Sequence, residues 1–348
     1  MGMNILAIKL KHVGDNLLAT PALAALKKRY PGAHLTYLVP QKGGGADIFR
    51  AWSLVDEVFE FPSDYTERLR LARRIRQRSY DLVVDFSWDT QSALWGMISG
   101  APRRIGYRFR KRVPVWPFYT QARAMGTAHT VTANLELVEL ADAAHDLSAD
   151  PPLQLSIPDE ARERAESLLR RAGVGDNEPI LLLHPASRWM FKCWTDDGNA
   201  AFLDGVERTL NLRPVVTSGP SETEISRVRR ILDLCKIKPL SLAGETSLLM
   251  LAALIQRAKI FVGVDSAPVH IASAVRTPVV VLFGPSGQTE WRPWQVPYRS
   301  IQRLGWSCCP CGKDGCAGTK RSRCLEDIQP DEVVQACREL LGESKSRS

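Results

Sequence analysis

The sequence predicts an α/β fold built from two doubly wound, Rossmann-like domains. In both halves of the 348-residue chain, short apolar segments alternate with segments of helical periodicity. The short segments are apolar throughout, which is typical of parallel strands covered by helices on both faces. Between the halves, at 145–160, proline, aspartate and serine accumulate and mark a linker.

Each half supplies its own strands and helices. In the first half, strands are predicted at 4–10, 34–39 and 80–86, with a helix at 21–30 that tolerates Pro21 in its first turn. The second half gives predicted strands at 179–185, 213–219, 259–265 and 277–286, and helices near 195–210, 222–235 and 247–257.

The linker sets the predicted domain boundaries. Residues 1–155 form the N-terminal domain and 156–330 the C-terminal domain. Residues 331–348 form a C-terminal helix and tail that we expect to pack back toward the N-terminal domain. Just after the linker, the segment "IPDEARERAESLLRRAGV" predicts an N-capped amphipathic helix that ends at Gly173.

Composition and charge restrict the class of protein. The chain has no run of about 18 apolar residues and no signal-peptide layout, which predicts a cytoplasmic protein without a membrane-spanning helix. Its net charge is +8, and between Arg68 and Arg112 twelve Lys or Arg residues stand against three Asp. This excess is either a solvated face or a surface for an anionic partner such as a membrane or a phosphorylated glycolipid. No nucleic-acid-binding signature accompanies it, so we expect no nucleic acid partner.

The loops that follow the strands are where ligands bind in doubly wound sheets. In the first loop, 9–23, Gly14 permits a tight turn and Asp15 stands at the start of a helix. Asp15 is either an N-cap residue that satisfies helix amides or a carboxylate available as a general base. The spacing alone leaves both readings open.

The second loop, 184–204, combines positive charge with hydroxyl groups. Ser187, Arg188 and Lys192 follow a strand, and Thr195 is placed to cap the next helix. Two cations and a hydroxyl beside a helix N-terminus suit a diphosphate. The remaining large side chains of the loop either close a pocket or pack against a neighbouring surface; they are Trp189 and Trp194.

The third and fourth loops add acidic and imidazole groups. In 217–224, Glu222 or Glu224 begins a helix, either to accept ribose hydroxyls or to complement the helix dipole. In 263–286, a strand ends at Asp265, and Ser266 takes an N-cap position ahead of Pro268 and His270. Backbone amides, a hydroxyl and an imidazole at one strand end can bind phosphate oxygens, and the aspartate can orient them or meet a sugar hydroxyl. The next strand ends in "FGPS", where Gly284 allows a close backbone approach.

Two common nucleotide-binding motifs are missing from the sequence. No GxGxxG follows a predicted strand, and GxxxxGK[ST] does not occur, which argues against a dinucleotide dehydrogenase and a P-loop enzyme.

Five of the eight cysteines are clustered near the end of the second half, at 308, 309, 311, 316 and 324. Clustered thiols in a reducing compartment can bind metal, with Cys308, Cys311, Cys316 and Cys324 as the candidate ligands. Their spacing does not match a pair of CxxC knuckles, so we expect reduced structural thiols and no metal.

The four loops together resemble glycosyltransferase family 9, the ADP-heptose:lipopolysaccharide heptosyltransferases, over nearly the whole chain. The segments that carry the resemblance are "ILAIKLKHVGDNLLATPALAALKKRYPGAHLTYLV", "HPASRWMFKCW", "GVDSAPVHIASAVRTPVVVLFGPS" and "TEWRPW". The segments "KLKHVGD", "DSAPVH" and the cysteine-rich stretch are most similar to the heptosyltransferase III type.

The resemblance implies a GT-B fold, with an acceptor-binding N-terminal domain, a nucleotide-sugar-binding C-terminal domain and a cleft between them. The implied reaction moves heptose from ADP-L-glycero-D-manno-heptose to the inner core of lipopolysaccharide, with inversion and without an essential metal. The implied partners are the nucleotide-sugar donor, the phosphorylated lipid A–core acceptor and the inner-membrane surface, where the protein would be peripheral.

The family also implies roles for individual residues. Asp15 matches the aspartate that deprotonates the acceptor hydroxyl, and Lys192 the lysine near the donor diphosphate. Ala267 stands where the commoner family pattern has Gly, which restricts φ and puts the geometry of that amide in question. The expected donor-binding residues are Ser187, Arg188, Lys192, Glu222, Asp265, Ser266, Ala267 and His270. Acceptor phosphates are expected to meet Arg103, Arg104, Arg108 and Arg110.

Other functions are compatible with the same residues. A family member could use another nucleotide sugar, and an epimerase of the same fold is a more distant alternative. A non-catalytic glycolipid-binding protein and a metal-binding regulatory protein belong to different classes. The presence of Asp15, Lys192 and Asp265 together favours an enzyme.

Overall fold

The protein forms two compact units, Met1–Ser156 and Ile157–Ser348. The computed structural model describes residues 2–108, 114–126, 128–142 and 151–345. Each unit contains one six-stranded sheet with every strand pair parallel and with helices between the strands. The predicted fold class, two doubly wound α/β domains, is therefore confirmed.

In the first unit the strands lie in the order β3-β2-β1-β4-β5-β6. The order reverses between β1 and β4, the switch point at which such sheets bind ligands. The strands are β1 (Asn4–Ile8), β2 (His34–Pro40), β3 (Glu57–Phe61), β4 (Leu82–Asp85), β5 (Arg103–Tyr107) and β6 (Gln121–Arg123). The helices are α1 (Val13–Leu17), α2 (Thr20–Arg29), α3 (Ala46–Arg50), α4 (Tyr65–Gln77), α5 (Thr90–Ile98) and α6 (Thr130–Glu139).

The second unit repeats this arrangement, with the order β12-β11-β10-β7-β8-β9 and a switch point between β7 and β10. Its strands are β7 (Ile180–His184), β8 (Arg213–Ser218), β9 (Leu240–Ala243), β10 (Ile260–Val264), β11 (Val279–Leu282) and β12 (Tyr298–Ile301). Its helices are α7 (Asp159–Arg171), α8 (Asp196–Leu210), α9 (Glu222–Leu234), α10 (Leu248–Arg257), α11 (Ala267–Ala274), α12 (Gln288–Trp291), α13 (Arg323–Glu326) and α14 (Pro330–Lys345).

The helix that follows the linker, α7, begins differently from the prediction. Pro158 occupies the N-cap position, and no side chain caps the helix by a hydrogen bond. Its end agrees with the sequence, since Gly173 adopts a φ of +84° just beyond the C-cap, as a glycine stop signal requires.

The C-terminal helix α14 packs on the second unit. Val333, Cys337 and Leu340 recur at helical spacing and are buried in the apolar core of that unit, against α8 and β12. The sequence predicted packing toward the N-terminal domain instead. The apolar stripe of α14 is used locally because the second sheet needs a cover on that face. Among the helices of the described ranges, none is both long and apolar enough to cross a lipid bilayer.

Candidate active site

Candidate catalytic and binding side chains form two groups, one on each unit. Both groups follow the carboxyl ends of central strands, the edge at which a doubly wound sheet binds its ligands. The first group follows β1 and β4 and contains Asp15. The second follows β7, β8 and β10 and contains Lys192 and Asp265.

Asp15 lies in the first turn of α1, directly after β1. His12 holds the N-cap position, so Asp15 is not the cap residue. Its carboxylate is half-buried and receives no hydrogen bond or salt bridge from the residues that the structure describes. An unpaired carboxylate at this edge can accept a proton from a bound hydroxyl group.

Lys9, which the sequence analysis did not single out, follows β1 and is fully buried. Its ammonium donates to the Phe86 carbonyl oxygen (3.1 Å) and to Asn134 Oδ1 (3.4 Å). Burial lowers the pKa of Lys9 to about 8, and the charges of Asp15 and Asp85 act against that effect. A buried cation thus lies close enough to Asp15 to interact with its charge. The sequence signal that could have identified Lys9 is a lysine placed directly after an apolar strand.

Asp85 ends β4 and is also fully buried. Its carboxylate accepts hydrogen bonds from the Tyr119 hydroxyl (2.7 Å) and from the Ser87 amide (2.8 Å). Burial raises the pKa of Asp85 to about 7, and the hydrogen bonds from Ser92, Tyr119 and Ser87 only partly offset this. The hydrogen bond from Tyr119 to Asp85 therefore connects the segment around Tyr119 to the end of β4.

At the rim of the same edge, Lys11 forms a salt bridge with Asp89 (3.0 Å). The Lys11 ammonium also lies 4.9 Å from the centre of the Trp88 ring, which follows β4. These side chains add polar and aromatic surface beside Asp15.

In the second unit, Lys192 and Asp265 contact each other directly. Lys192 Nζ lies 2.6 Å from Asp265 Oδ2, and the two residues follow β7 and β10, which are neighbours in the sheet. The Asp265 side chain is 7% exposed and that of Lys192 is 22% exposed. The ammonium is 6.0 Å from the centre of the Trp291 ring. Because an ammonium has three N–H donors, Lys192 can hold Asp265 and still bind an anionic ligand.

The start of α11 lies beside this ion pair. Ser266 occupies the predicted N-cap position, but its hydroxyl donates to the Val264 carbonyl oxygen (3.1 Å) and does not cap the helix. Ala267 is the first helical residue, and His270 is 4% exposed in the same helix. The structure thus brings Asp265, Ser266, Ala267 and His270 to one strand end.

The other predicted residues of the second loop have distinct environments. Ser187 is buried, its amide donates to Cys193 Sγ (3.2 Å), and its hydroxyl accepts from the Trp189 amide (3.3 Å). Arg188 is exposed, with its guanidinium 5.6 Å from the centre of the Trp189 ring. Arg188 is therefore accessible to an anion at the rim, whereas Ser187 holds the loop together.

At the end of this loop, the structure confirms the predicted helix cap at Thr195 and decides between the two roles predicted for Trp194. Thr195 caps α8 by accepting from the Gly198 amide (3.0 Å), as the sequence predicted. Trp194 is 2% exposed in the core of the second unit, and its indole donates to the Ile328 carbonyl oxygen (3.2 Å). Trp194 is therefore a core residue that does not close a pocket.

The two acidic residues after β8 differ in position. The Glu222 side chain is 74% exposed, and its carboxylate contacts Ser226 and Arg229 on α9 itself. The Glu224 carboxylate accepts from the Gly219 amide (2.7 Å) just beyond the strand end. The placement favours Glu224 over Glu222, the expected donor-binding residue, as the acidic residue at this end of the sheet.

His184, the last residue of β7, is a further polar residue that the sequence analysis passed over. It is 5% exposed, and its Nδ1 lies 3.0 Å from Thr217 Oγ1 on β8. Burial lowers the pKa of His184 to about 4, so the ring is neutral near pH 7. It links two strand ends beneath the site without adding charge.

Two of the predicted acceptor-binding arginines lie at the amino ends of the strands of the first sheet, opposite the carboxyl ends that carry Asp15. Arg103 and Arg104 begin β5, whereas Asp15 follows the carboxyl end of the parallel strand β1. Arg103 pairs with Asp142 (3.1 Å). The Arg104 guanidinium donates to three carbonyl oxygens at 2.7–3.0 Å, those of Ala101, Pro117 and Phe118. The structure therefore does not bring these two residues together with Asp15.

Arg108 follows the carboxyl end of β5 and is exposed on the same edge as Asp15. Arg110 lies outside the residues that the structure describes.

The cysteines are all free thiols. Cys308, Cys309, Cys311, Cys316 and Cys324 line one pocket together with Pro285, Trp306 and Ser322. Within 2–108, 114–126, 128–142 and 151–345, no three or more His, Cys, Asp or Glu side chains are grouped so that they could hold a metal ion.

Comparison with known proteins identifies the family. The family model for glycosyltransferase family 9 (heptosyltransferase) matches residues 68–321. Lipopolysaccharide heptosyltransferase 3 of Escherichia coli is 30% identical over 292 residues, which cover 81% of this chain and 83% of that protein.

Two solved structures share the fold over almost the whole length. The E. coli ADP-heptose lipopolysaccharide heptosyltransferase II has a TM-score of 0.78 at 22% identity, covering 99% of this chain and all of that one. The E. coli heptosyltransferase WaaC with ADP-2-deoxy-2-fluoro heptose has a TM-score of 0.69 at 19% identity, covering 97% and 99%. These likenesses agree with the predicted GT-B fold. With the family model spanning most of the chain and its polar loops gathered at the strand ends, the protein belongs to glycosyltransferase family 9 and is a glycosyltransferase.

Proposed function

We propose that the protein transfers heptose from ADP-heptose to the core of lipopolysaccharide, by a single displacement that inverts the anomeric carbon. An acceptor hydroxyl oxygen bonds to the anomeric carbon as the bond from that carbon to the ADP oxygen breaks. The hydroxyl proton passes to Asp15, and the electron pair of the broken bond leaves with ADP. The names of the E. coli relatives support this choice of donor and acceptor.

The observation that carries the donor half is the Lys192–Asp265 pair beside the start of α11. In the proposal, Lys192 and the first amides of α11 meet the charge that grows on the diphosphate of the leaving ADP. A preorganised donor of this kind contributes about 3 kcal/mol to the barrier reduction. Ser266 and His270 lie at the same strand end and would meet further phosphate or sugar oxygens. Arg188 would bind at the rim, and Glu224, or Glu222 as first ranked, would accept from the ribose.

The observation that supports the acceptor half is the unpaired carboxylate of Asp15. An aspartate must be ionised to accept a proton, and the buried ammonium of Lys9 provides a positive charge nearby. General-base catalysis by a positioned side chain contributes about 10²–10⁴-fold to a rate. Asp15 is accordingly the proposed base.

We also propose that the basic surface of the first unit holds the protein at an anionic membrane, on the cytoplasmic face of the inner membrane. The side chains of Arg70 and Arg74 on α4 are 67% and 61% exposed. Such a surface attracts anionic lipid by about 1 kcal/mol per basic residue, and salt screens the attraction. Binding to vesicles that contain anionic lipid, lost at high salt and absent from neutral vesicles, is the expected result. Equal binding to both kinds of vesicle would contradict it.

A panel of nucleotide sugars tests the proposed reaction. The purified protein is incubated with ADP-heptose, or with ADP-, GDP- or UDP-linked hexoses, and with a lipopolysaccharide acceptor that has a truncated core. Mass spectrometry should show the mass of one heptose added to the acceptor from ADP-heptose alone. Transfer from another donor would identify a different specificity. Acceptor binding without turnover of any donor would identify a glycolipid-binding protein instead.

A further inference from the structure

The cysteine-rich segment, residues 302–325, contacts the loops that follow two strands of the second sheet. It joins β12 to α13 and contains the five clustered cysteines. One of its contacts is to the loop after β11, and another is to the loop after β7 that carries Lys192. The proposed reaction does not use this segment.

Its contacts with the loop after β11 are numerous. The Cys309 thiol donates to the Gly284 carbonyl oxygen (3.2 Å), and the Gly312 amide donates to the Pro285 carbonyl oxygen (2.8 Å). Gln302 Nε2 donates to the carbonyl oxygens of Gly284 (3.2 Å) and Ser286 (2.9 Å). These bonds fix the backbone that follows β11.

Its hydrogen bond to the loop after β7 is partly buried. Ser322 is 3% exposed, and its hydroxyl donates to the Phe191 carbonyl oxygen at 2.5 Å. Phe191 directly precedes Lys192 in the short 3₁₀ turn Met190–Lys192. The two bonded residues are 131 positions apart in the sequence. The accepting carbonyl group belongs to the peptide bond that joins Phe191 to Lys192.

We propose that Ser322 is a positioning residue that fixes the backbone of Lys192, so that its ammonium meets Asp265 and the donor diphosphate. This inference rests on the proposed donor site. A lysine side chain has four rotatable bonds, and a backbone that is already fixed lowers the entropy cost of holding its ammonium at one point. The Asp265 contact restrains the ammonium end, and the Ser322 bond restrains the backbone end.

The effect on the reaction follows from the required precision. An ammonium displaced by 1 Å can cost about 10²-fold in rate, because the leaving group must be met where its charge develops. Removal of the Ser322 hydroxyl leaves the Phe191 carbonyl without its partner at a partly buried position, which favours a shift of the turn. The consequence should appear at the donor and not at the acceptor.

The variants Ser322→Ala, Ser322→Thr and Thr319→Ala test the inference. Ser322→Ala should weaken ADP binding, measured by calorimetry, and raise the donor KM by about five- to tenfold. The acceptor KM should not change, and Ser322→Thr, which keeps the hydroxyl, should restore most of the loss. Thr319→Ala is the matched control, because it removes a hydroxyl-to-carbonyl bond of 2.7 Å to Cys316 within the same segment. It should leave ADP binding unchanged.

A double-mutant cycle with Lys192→Ala separates positioning from a general structural role. In the Lys192→Ala background, Ser322→Ala should weaken ADP binding by less than about twofold, because the group it positions is gone. The same loss in both backgrounds, or no loss in either, would overturn the inference. If Lys192→Ala itself leaves ADP binding unchanged, the proposed donor site fails instead. Should Ser322→Ala not fold, Ser322→Cys, a weaker donor of similar size, takes its place in the cycle with the same expected outcomes.

Discussion

Lys192 Nζ lies 2.6 Å from Asp265 Oδ2, and this ion pair joins the loops that follow the neighbouring strands β7 and β10. The two residues are 73 positions apart in the chain, and the parallel sheet brings them together at its carboxyl edge. Lys192 is thereby held beside the start of α11, with N–H donors left for an anion.

Removal of this cation should weaken donor binding. For Lys192→Ala we expect ADP affinity to fall about tenfold and kcat to fall further, since the charge on the diphosphate grows in the transition state. Calorimetry with ADP and steady-state kinetics measure the two effects. Lys238→Ala, at an exposed lysine of the same unit, is the control. An unchanged kcat in Lys192→Ala would contradict the assigned role.

Asp15→Asn should slow transfer strongly while ADP binding persists. The amide keeps the size of the carboxylate but cannot take a proton, so we expect kcat to fall by about 10²–10⁴-fold. Asp47→Asn is a matched control, because Asp47 lies in the first turn of the short helix α3 and its side chain is 84% exposed. Transfer by Asp15→Asn at a rate close to that of the wild type would mean that another group is the base.

Asp85 should make stability depend on pH in a defined direction. The folded chain keeps this carboxyl protonated up to about pH 7, whereas in the unfolded chain it ionises near pH 4. The free energy of unfolding therefore falls as the pH rises between these values. Asp85→Asn cannot ionise, so it should match the wild type near pH 4 and exceed it at pH 8 by roughly 2–4 kcal/mol. Urea unfolding at the two pH values measures this, and a difference that does not vary with pH would refute it.

Arg104 should prove structural. Arg104→Ala leaves three carbonyl oxygens without their donor, and we expect it to lower the free energy of unfolding by about 1–3 kcal/mol without changing the acceptor KM. Arg70→Ala, which breaks an exposed pair with Glu67, should cost less than about 0.5 kcal/mol. A raised acceptor KM at unchanged stability would restore the role that the sequence predicted for Arg104.

The central strands could be predicted from sequence because both of their faces are buried. All residues of β4, β7, β10 and β11 are buried, so each strand is an apolar run. Most of the strands that the sequence did not reveal are sheet edges, where one flank lacks a neighbouring strand and polar residues intervene. They are β3, β6, β9 and β12. The remaining strand that the sequence did not reveal is β5, which begins inside a basic cluster, so its sequence resembles that of a charged surface.

The site could be predicted only where a role follows from position beside a strand. Asp15, Asp265 and Ser266 stand directly after apolar strands or at helix starts, and Lys192 stands in the loop after β7. The Ser322 hydroxyl donates to a backbone carbonyl 131 positions away in the chain, a contact that no local pattern reveals. The arginines at 103 and 104 begin β5, away from Asp15, and their partners within the fold are not visible in a count of charges.

The way α14 closes the second unit limits how the chain can be shortened. A chain that ends before residue 330 lacks Val333, Cys337 and Leu340, which bury part of the apolar core of the second unit. That apolar surface would then be exposed to solvent. Such a fragment should accumulate in inclusion bodies, however complete its catalytic loops are.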